Sequence, residues 1–139
     1  MDSPVETPIF ASIADRYRVA DEIGQGGMST VYRALDLSYS REVAIKVLRS
    51  EVATAVGTER FLREVQIASR LQHPPILPLL DSGEIDGLPY YVMPFVRGES
   101  LRDRLNREGQ LPLDDALQVV REVGEALAYA HREGVVHRD

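Results

Sequence analysis

The chain has 139 residues, of which 44% are hydrophobic and 27% charged, enough for one well-buried core. The formal charge of −6 gives none of the basic excess that nucleic-acid binders carry. The absence of cysteine excludes disulfides, thiolate chemistry and cysteine zinc sites.

Taken in chain order, residues 1–14 read as a flexible leader. Pro4 and Pro8 interrupt regular structure there, and no apolar run marks a signal peptide. From Tyr17 the pattern becomes strand-like: YRVADEIG, then STVYRALD after a glycine cluster, then REVAIKVL after the turn-prone residues 36–40. Between Thr58 and Leu71 the period changes, with Phe61, Val65, Ala68 and Leu71 at helical spacing, and His73-Pro74-Pro75 ends the helix. Two further strands are expected at 79–84 and 88–93, joined by a turn at Asp86-Gly87. Ser100 and Asp103 have the spacing of a capping box ahead of a short helix. A long helix begins near Pro112, carries Ala116, Val120, Val123, Leu127 and Ala130 on one stripe, and stops at Gly134. Five strands with one helix inserted after the third, followed by helices only, make an α+β fold. The chain holds no apolar run of the roughly 20 residues that a membrane helix needs.

Four motifs carry chemistry. The cluster Gly24-Gln25-Gly26-Gly27-Met28-Ser29 lets a backbone approach phosphate oxygens closely, although alone it is equally a hairpin turn. It is not a dinucleotide fingerprint, which must open a helix, because Val31 and its neighbours continue as a strand. Lys46 ends the strand run Val43-Ala44-Ile45-Lys46; alone it is as readily a surface lysine, but behind a glycine loop it is a point charge for phosphates. Glu64 lies in the first helix, either as a solvated partner of Arg60 or as an ion pair for Lys46. His137-Arg138-Asp139 in isolation is an exposed turn.

In this order and context the four motifs form the protein-kinase signature set. The sequence resembles bacterial Ser/Thr protein kinases over residues 15–139, including ADRYRVADEIGQGGMSTVYRA and YYVMPFVRGESL. The resemblance implies a protein kinase-like fold, a five-stranded antiparallel N-lobe sheet with one inserted helix in residues 15–93. A hinge at 94–98 and the first helices of a truncated C-lobe at 99–139 would follow. It implies an ATP- and Mg²⁺-dependent transferase acting on protein Ser or Thr hydroxyls. Ile23, Gly24, Gln25, Gly26, Gly27, Met28 and Ser29 would cover the nucleotide, with Val31 and Ala44 as an apolar roof over adenine. Ser29 stands where the usual pattern has its third glycine, so a stiffer loop is expected. Lys46 would contact the α- and β-phosphates and Glu64 would orient it. Met93 takes the gatekeeper position. Pro94 would offer its carbonyl and Val96 its N–H to the adenine ring. Asp139 matches the catalytic base, His137 and Arg138 having structural roles. The metal ligands are expected beyond Asp139, so this chain alone is expected to be inactive. A non-catalytic pseudokinase or ATP-sensing scaffold is the alternative reading. ATP and a protein substrate are the expected partners, without nucleic acid, in the cytoplasm.

Overall fold

A computed structural model describes residues 8–137. They form two compact units, one comprising the chain up to Arg70 together with Pro78–Phe95, the other Leu71–Leu77 together with the chain from Val96 onward.

The first unit is built on one antiparallel sheet. Its strands are β1 (Tyr17–Gln25), β2 (Ser29–Asp36), β3 (Arg41–Leu48), β4 (Asp81–Ile85) and β5 (Leu88–Pro94), in the order β1-β2-β3-β5-β4. Helix α1 (Ala55–Arg70) lies between β3 and β4 in sequence. It starts three residues ahead of the expected Thr58, because the Thr54 hydroxyl accepts the Gly57 N–H at 3.1 Å and caps the first turn. Gly57 is tightly constrained there, since a Cβ would meet the Val52 carbonyl oxygen at 2.0 Å. The β4–β5 turn uses Asp86 (φ 50°) and Gly87 (φ 79°), the two positive angles that a type I′ hairpin demands. β4 begins two residues later than the sequence reading had it, although the Leu80 N–H still donates to the Val92 carbonyl at 2.7 Å.

Strand alternation divides the apolar residues between the two faces of the sheet. On one face Val43, Ile45 and Val47 of β3 pack with Val19, Ala34, Ile85, Tyr90 and Val92. On the other, Leu48 and Tyr91 pack with Phe61 of α1, and Met28, Val65, Leu79 and Met93 close around them.

The leader reading is corrected for part of its length. Residues 1–7 lie outside the described region, but Pro8–Ile13 form a 3₁₀ helix rather than a loose tail. Phe10 and Ile13 are buried in the first cluster, and the Phe10 ring meets Tyr32 edge-on at 4.8 Å. Proline does not prevent this, because it suits the first turn of a helix, and the sheet offers an apolar face that must be covered.

In the second unit, α2 (Leu101–Glu108) is capped by the Ser100 hydroxyl, which accepts the Asp103 N–H at 3.1 Å, and ends at Gly109 with φ 79°. α3 (Leu113–Arg132) follows Pro112, which stands at its N-cap, and is closed by Gly134 at φ 83°. Asp114 and Asp115 in the first turn and His131 and Arg132 in the last complement the helix dipole. Arg104 joins the two helices, meeting Asp115 at 2.6 Å and Glu108 at 3.0 Å. The expected boundary at residue 93 put Leu71–Leu77 with the sheet, whereas the units place them with α3. There the Gln72 N–H donates to the Tyr129 hydroxyl at 2.8 Å and His73 stacks on the Tyr129 ring at 5.1 Å. The α3 stripe is mixed: Val120 keeps 70% of its surface and Val123 51%, Ala116 and Leu127 are partly covered, and Ala130 is buried.

Because Phe10 fills a core position, Phe10→Ala is expected to cost about 3 kcal/mol, the lower end for emptying a buried aromatic site. The check is the shift in urea midpoint; a loose leader would give none.

Candidate functional site

The register of the sheet assembles the candidate residues. Val31 of β2 stands opposite Lys46 of β3, and Lys46 stands opposite Tyr91 of β5, so the three form a row across one face. Two residues along lies the parallel row Arg33, Ala44 and Met93. Alternation thus puts Val31, Ala44, Lys46 and Met93 on the face that α1 covers in part.

The glycine cluster forms the β1–β2 hairpin. Gly24 and Gln25 close β1, Ser29 opens β2, and Gly26, Gly27 and Met28 lie outside both strands. The Gly26 N–H donates to the Ser29 carbonyl at 2.8 Å. Among the described residues, positive φ at a non-glycine residue occurs only at Ser40 and Asp86. Ser29 is therefore ordinary strand backbone, buried at the root of the hairpin, and the expected stiffening of the loop has no basis in its φ. The three glycines carry no positive φ either, and a Cβ at Gly24, Gly26 or Gly27 would meet nothing closer than 3.8 Å. Among the described residues, neither backbone angle nor crowding demands glycine here.

Ile23 sits beside a register irregularity between Glu22 and Gly24 and is 43% exposed, a large apolar side chain next to the hairpin. A bulge of this kind re-aims side chains at a sheet rim.

Lys46 and Glu64 meet. The lysine Nζ donates to Glu64 Oε1 at 2.7 Å, joining β3 to α1. The same carboxylate oxygen accepts the Tyr91 hydroxyl at 2.6 Å, and the lysine also lies 5.6 Å from the centre of the Tyr91 ring. Burial alone would raise the Glu64 pKa, but the hydrogen bonds from Lys46 and Tyr91, with the lysine charge, outweigh it and hold the carboxyl below its ordinary value. Burial, and then the bond to Glu64, push the Tyr91 phenol well upward, so it stays protonated and donating.

Two residues absent from the sequence-based set belong to this assembly. Tyr91 is one; its position two before Met93 in an alternating strand was a signal, but its place opposite Lys46 needed the register. Arg49, just past β3, is the other. Its guanidinium donates to the Gly26 carbonyl at 3.1 Å and to Glu51 at 3.1 Å, and its N–H donates to the Met28 carbonyl at 2.8 Å, holding the hairpin from two sides.

Met93 and Pro94 end β5, and Pro94 stands opposite Val43 as the last rung of the ladder. Proline suits this terminal place because it has no N–H to contribute further along. Val96 is exposed and belongs to the second unit. Asp139 and Arg138 lie outside the described residues.

A family model described as the protein kinase domain matches residues 17–139. The chain belongs to the protein kinase family. It is 44% identical over 132 residues to a probable serine/threonine-protein kinase of Corynebacterium efficiens, covering 91% of this chain and 20% of that protein. It is 41% identical over 132 residues to the serine/threonine-protein kinase PknB of Mycobacterium leprae, covering 91% and 21%. It is 42% identical over 128 residues to the serine/threonine-protein kinase PrkC of Bacillus subtilis, covering 91% and 20%. The solved PknI kinase domain of Mycobacterium tuberculosis matches with a TM-score of 0.73 at 36% identity, covering 88% of this chain and 50% of that one. The fold is therefore kinase-like, and this chain spans about half of that kinase domain and a fifth of the curated relatives.

The depressed Glu64 value fixes the sign of a pH effect. A carboxyl with a lowered folded pKa stabilises fully above its ordinary value of 4.5, and loses that contribution as the pH falls through the lower folded value. The Tyr91 phenol, pushed well upward by burial and by its bond to Glu64, keeps donating throughout this range. The difference in urea midpoint between the wild type and Glu64→Gln is thus expected to be constant from about pH 8 to 5 and to close below about 4.5.

Proposed function

We propose that this chain is the nucleotide-binding part of an ATP-dependent protein kinase that transfers the γ-phosphoryl group to Ser or Thr hydroxyls of proteins. The observation that carries the proposal is the 2.7 Å bond between Lys46 and Glu64, on the face of the sheet that also bears Val31, Ala44 and Met93. Its relatives' names support the Ser/Thr class. In this reading residues 15–93 are the N-lobe, 94–98 the hinge and 99–139 the start of the C-lobe.

The residues present fit the nucleotide. Bound ATP supplies the phosphoryl group. Three uncrowded glycines let the hairpin backbone close over phosphate oxygens, and Arg49 holds that backbone in place by its Gly26 carbonyl. Lys46 places a positive charge on the α- and β-phosphates, where negative charge must be held during transfer. Glu64 keeps the ammonium from swinging to solvent. Val31 and Ala44 supply an apolar surface for adenine, beside Ile23 at the rim. Met93 closes the pocket's back. Pro94 offers a carbonyl and Val96 an N–H to the ring edge. Asp139 accepts the proton of the attacking hydroxyl and positions its oxygen. Among the described residues no group of three or more His, Asp or Glu side chains could hold a metal ion. Mg²⁺ enters the proposal only through ligands beyond Asp139. No helix among the described residues is long and apolar enough to cross a membrane. We place the reaction in the cytoplasm, where ATP is available.

Two measurements on the full-length protein test this. Lys46→Met is expected to lower phosphoryl transfer by about 10²–10³, the usual loss for one transition-state charge contact, without unfolding the protein. Retention of most activity would end the assignment of Lys46. Hinge substitutions should be asymmetric. Pro94→Ala leaves ATP affinity unchanged, since only a carbonyl is used there. Val96→Pro removes the N–H and costs about 1–3 kcal/mol of affinity through an orphaned adenine acceptor. Equal effects in calorimetry would mean that the hinge lies elsewhere.

A further inference from the structure

The Lys46–Glu64 pair has a third member. We propose that Tyr91 is a positioning residue for the kinase reaction, whose hydroxyl pins Glu64 to the sheet and so keeps α1 docked and Lys46 correctly set. The inference rests on the reading of Lys46 as the phosphate-binding lysine and extends it to the residue that holds its partner.

Tyr91 is held more firmly than either charged partner. Only 7% of its surface is exposed, whereas the side chains of Lys46 and Glu64 keep 24% and 46% of theirs. β5 pairs on both sides, with Lys46 of β3 opposite Tyr91 on one flank and Ser82 of β4 on the other. The ring packs on Phe61 of α1, centroids 5.5 Å apart, and on Leu48. Its hydroxyl therefore presents a donor whose position is fixed by the sheet, not by a flexible stem.

Lysine alone is a poor anchor for a helix. Its ammonium sits on a four-carbon chain and can turn its three donors elsewhere. A half-exposed ion pair of this kind also contributes little by itself. Adding a rigid phenol at 2.6 Å to the same Oε1 gives that oxygen two donors converging from adjacent strands. The carboxylate is then confined in direction, and Lys46 is confined with it. The pi face of Tyr91, 5.6 Å from Nζ, adds a second attraction for the lysine. Phe61, four-and-a-half ångströms of helix rise before Glu64 on the same element, is the apolar half of the docking contact, and the Tyr91 hydroxyl is its polar half.

The hydroxyl has no reason to be there on packing grounds. A buried ring against Phe61 and Leu48 would be equally filled by phenylalanine, and a phenol at this depth must find an acceptor or forfeit its hydration. It finds one: the carboxylate that orients the catalytic lysine.

The test is Tyr91→Phe in the full-length kinase, read by steady-state kinetics and by amide hydrogen exchange. The ring stays and only the hydroxyl is lost. At saturating ATP and protein substrate, kcat is expected to fall about three- to tenfold while KM for ATP moves less than about twofold, because the hydroxyl touches Glu64 and not the nucleotide. Exchange of the α1 amides, residues 55–70, is expected to quicken about tenfold, with the β3 amides at 43–47 unchanged. In a Glu64→Ala background the same substitution is expected to add nothing, since the two groups act as one unit. Unchanged kcat overturns the proposal, as does unchanged α1 exchange, exchange that quickens equally in β3, or a full additive effect in the Glu64→Ala background. Lys46→Met in the same assay separates the two readings: if it leaves transfer intact, the assignment of the lysine fails, while faster α1 exchange in Tyr91→Phe would still register the Tyr91–Glu64 bond.

Discussion

An antiparallel register is the constraint on which everything else in the first unit depends. Once β2, β3 and β5 pair as they do, Val31, Lys46 and Tyr91 fall in one row, and Ala44 and Met93 fall in the next. A one-residue slip of β3 would exchange its two faces, sending Lys46 among Val19, Ala34, Ile85 and Val92 and turning Val43, Ile45 and Val47 away from them. That cluster is what prevents the slip. Burying β-branched residues on one face fixes the register, and the register in turn delivers a charged side chain to the other. The apolar core and the chemical site are two consequences of one alternation.

The two faces are then completed differently. The first is covered by the chain's own beginning, where Phe10 and Ile13 close over the strands. The second receives α1, which brings Phe61 as apolar contact and Glu64 as polar contact. Helix α1 is thus fastened at two unequal points. Its apolar contact is insensitive to direction, while the carboxylate bonds are directional and fix rotation about the helix axis. Under the proposed kinase function, in which positioning and charge supply nearly all of the catalysis, such directional fastening matters more than the net stability it contributes.

The glycine hairpin follows a different logic. Its glycines are required neither by backbone angle nor by crowding from the protein. Arg49 ties the hairpin by donating to the Gly26 carbonyl from beyond β3. In the proposed function, a loop tied at its root in this way admits phosphate oxygens without losing its place.

The order of the elements was legible from the residues, and the kinase-like fold from the family resemblance that their motifs carry. Alternation and glycine turns identify strands, a 3.6 period identifies α1 and α3, and the motifs Val-Ala-Ile-Lys and His-Arg-Asp narrow the chemistry because each occurs in its required context. These are local signals, and local chemistry suffices to produce them. The pairing of Lys46 with Glu64, 18 residues apart, was inferred through resemblance, and the geometry brings the two together. What local signals could not reach was decided by contacts between distant segments. Tyr91 lies 27 residues from Glu64, and only the β3–β5 register makes them neighbours. Phe10 reads as part of a loose leader until the sheet supplies a face for it to cover. Leu71–Leu77 follow α1 in sequence but belong with α3, because one tyrosine hydroxyl and one ring hold them there. Local sequence determined which elements form and which groups could react. Only tertiary structure decided which of those groups meet, because strand register and side-chain packing are properties of pairs of segments.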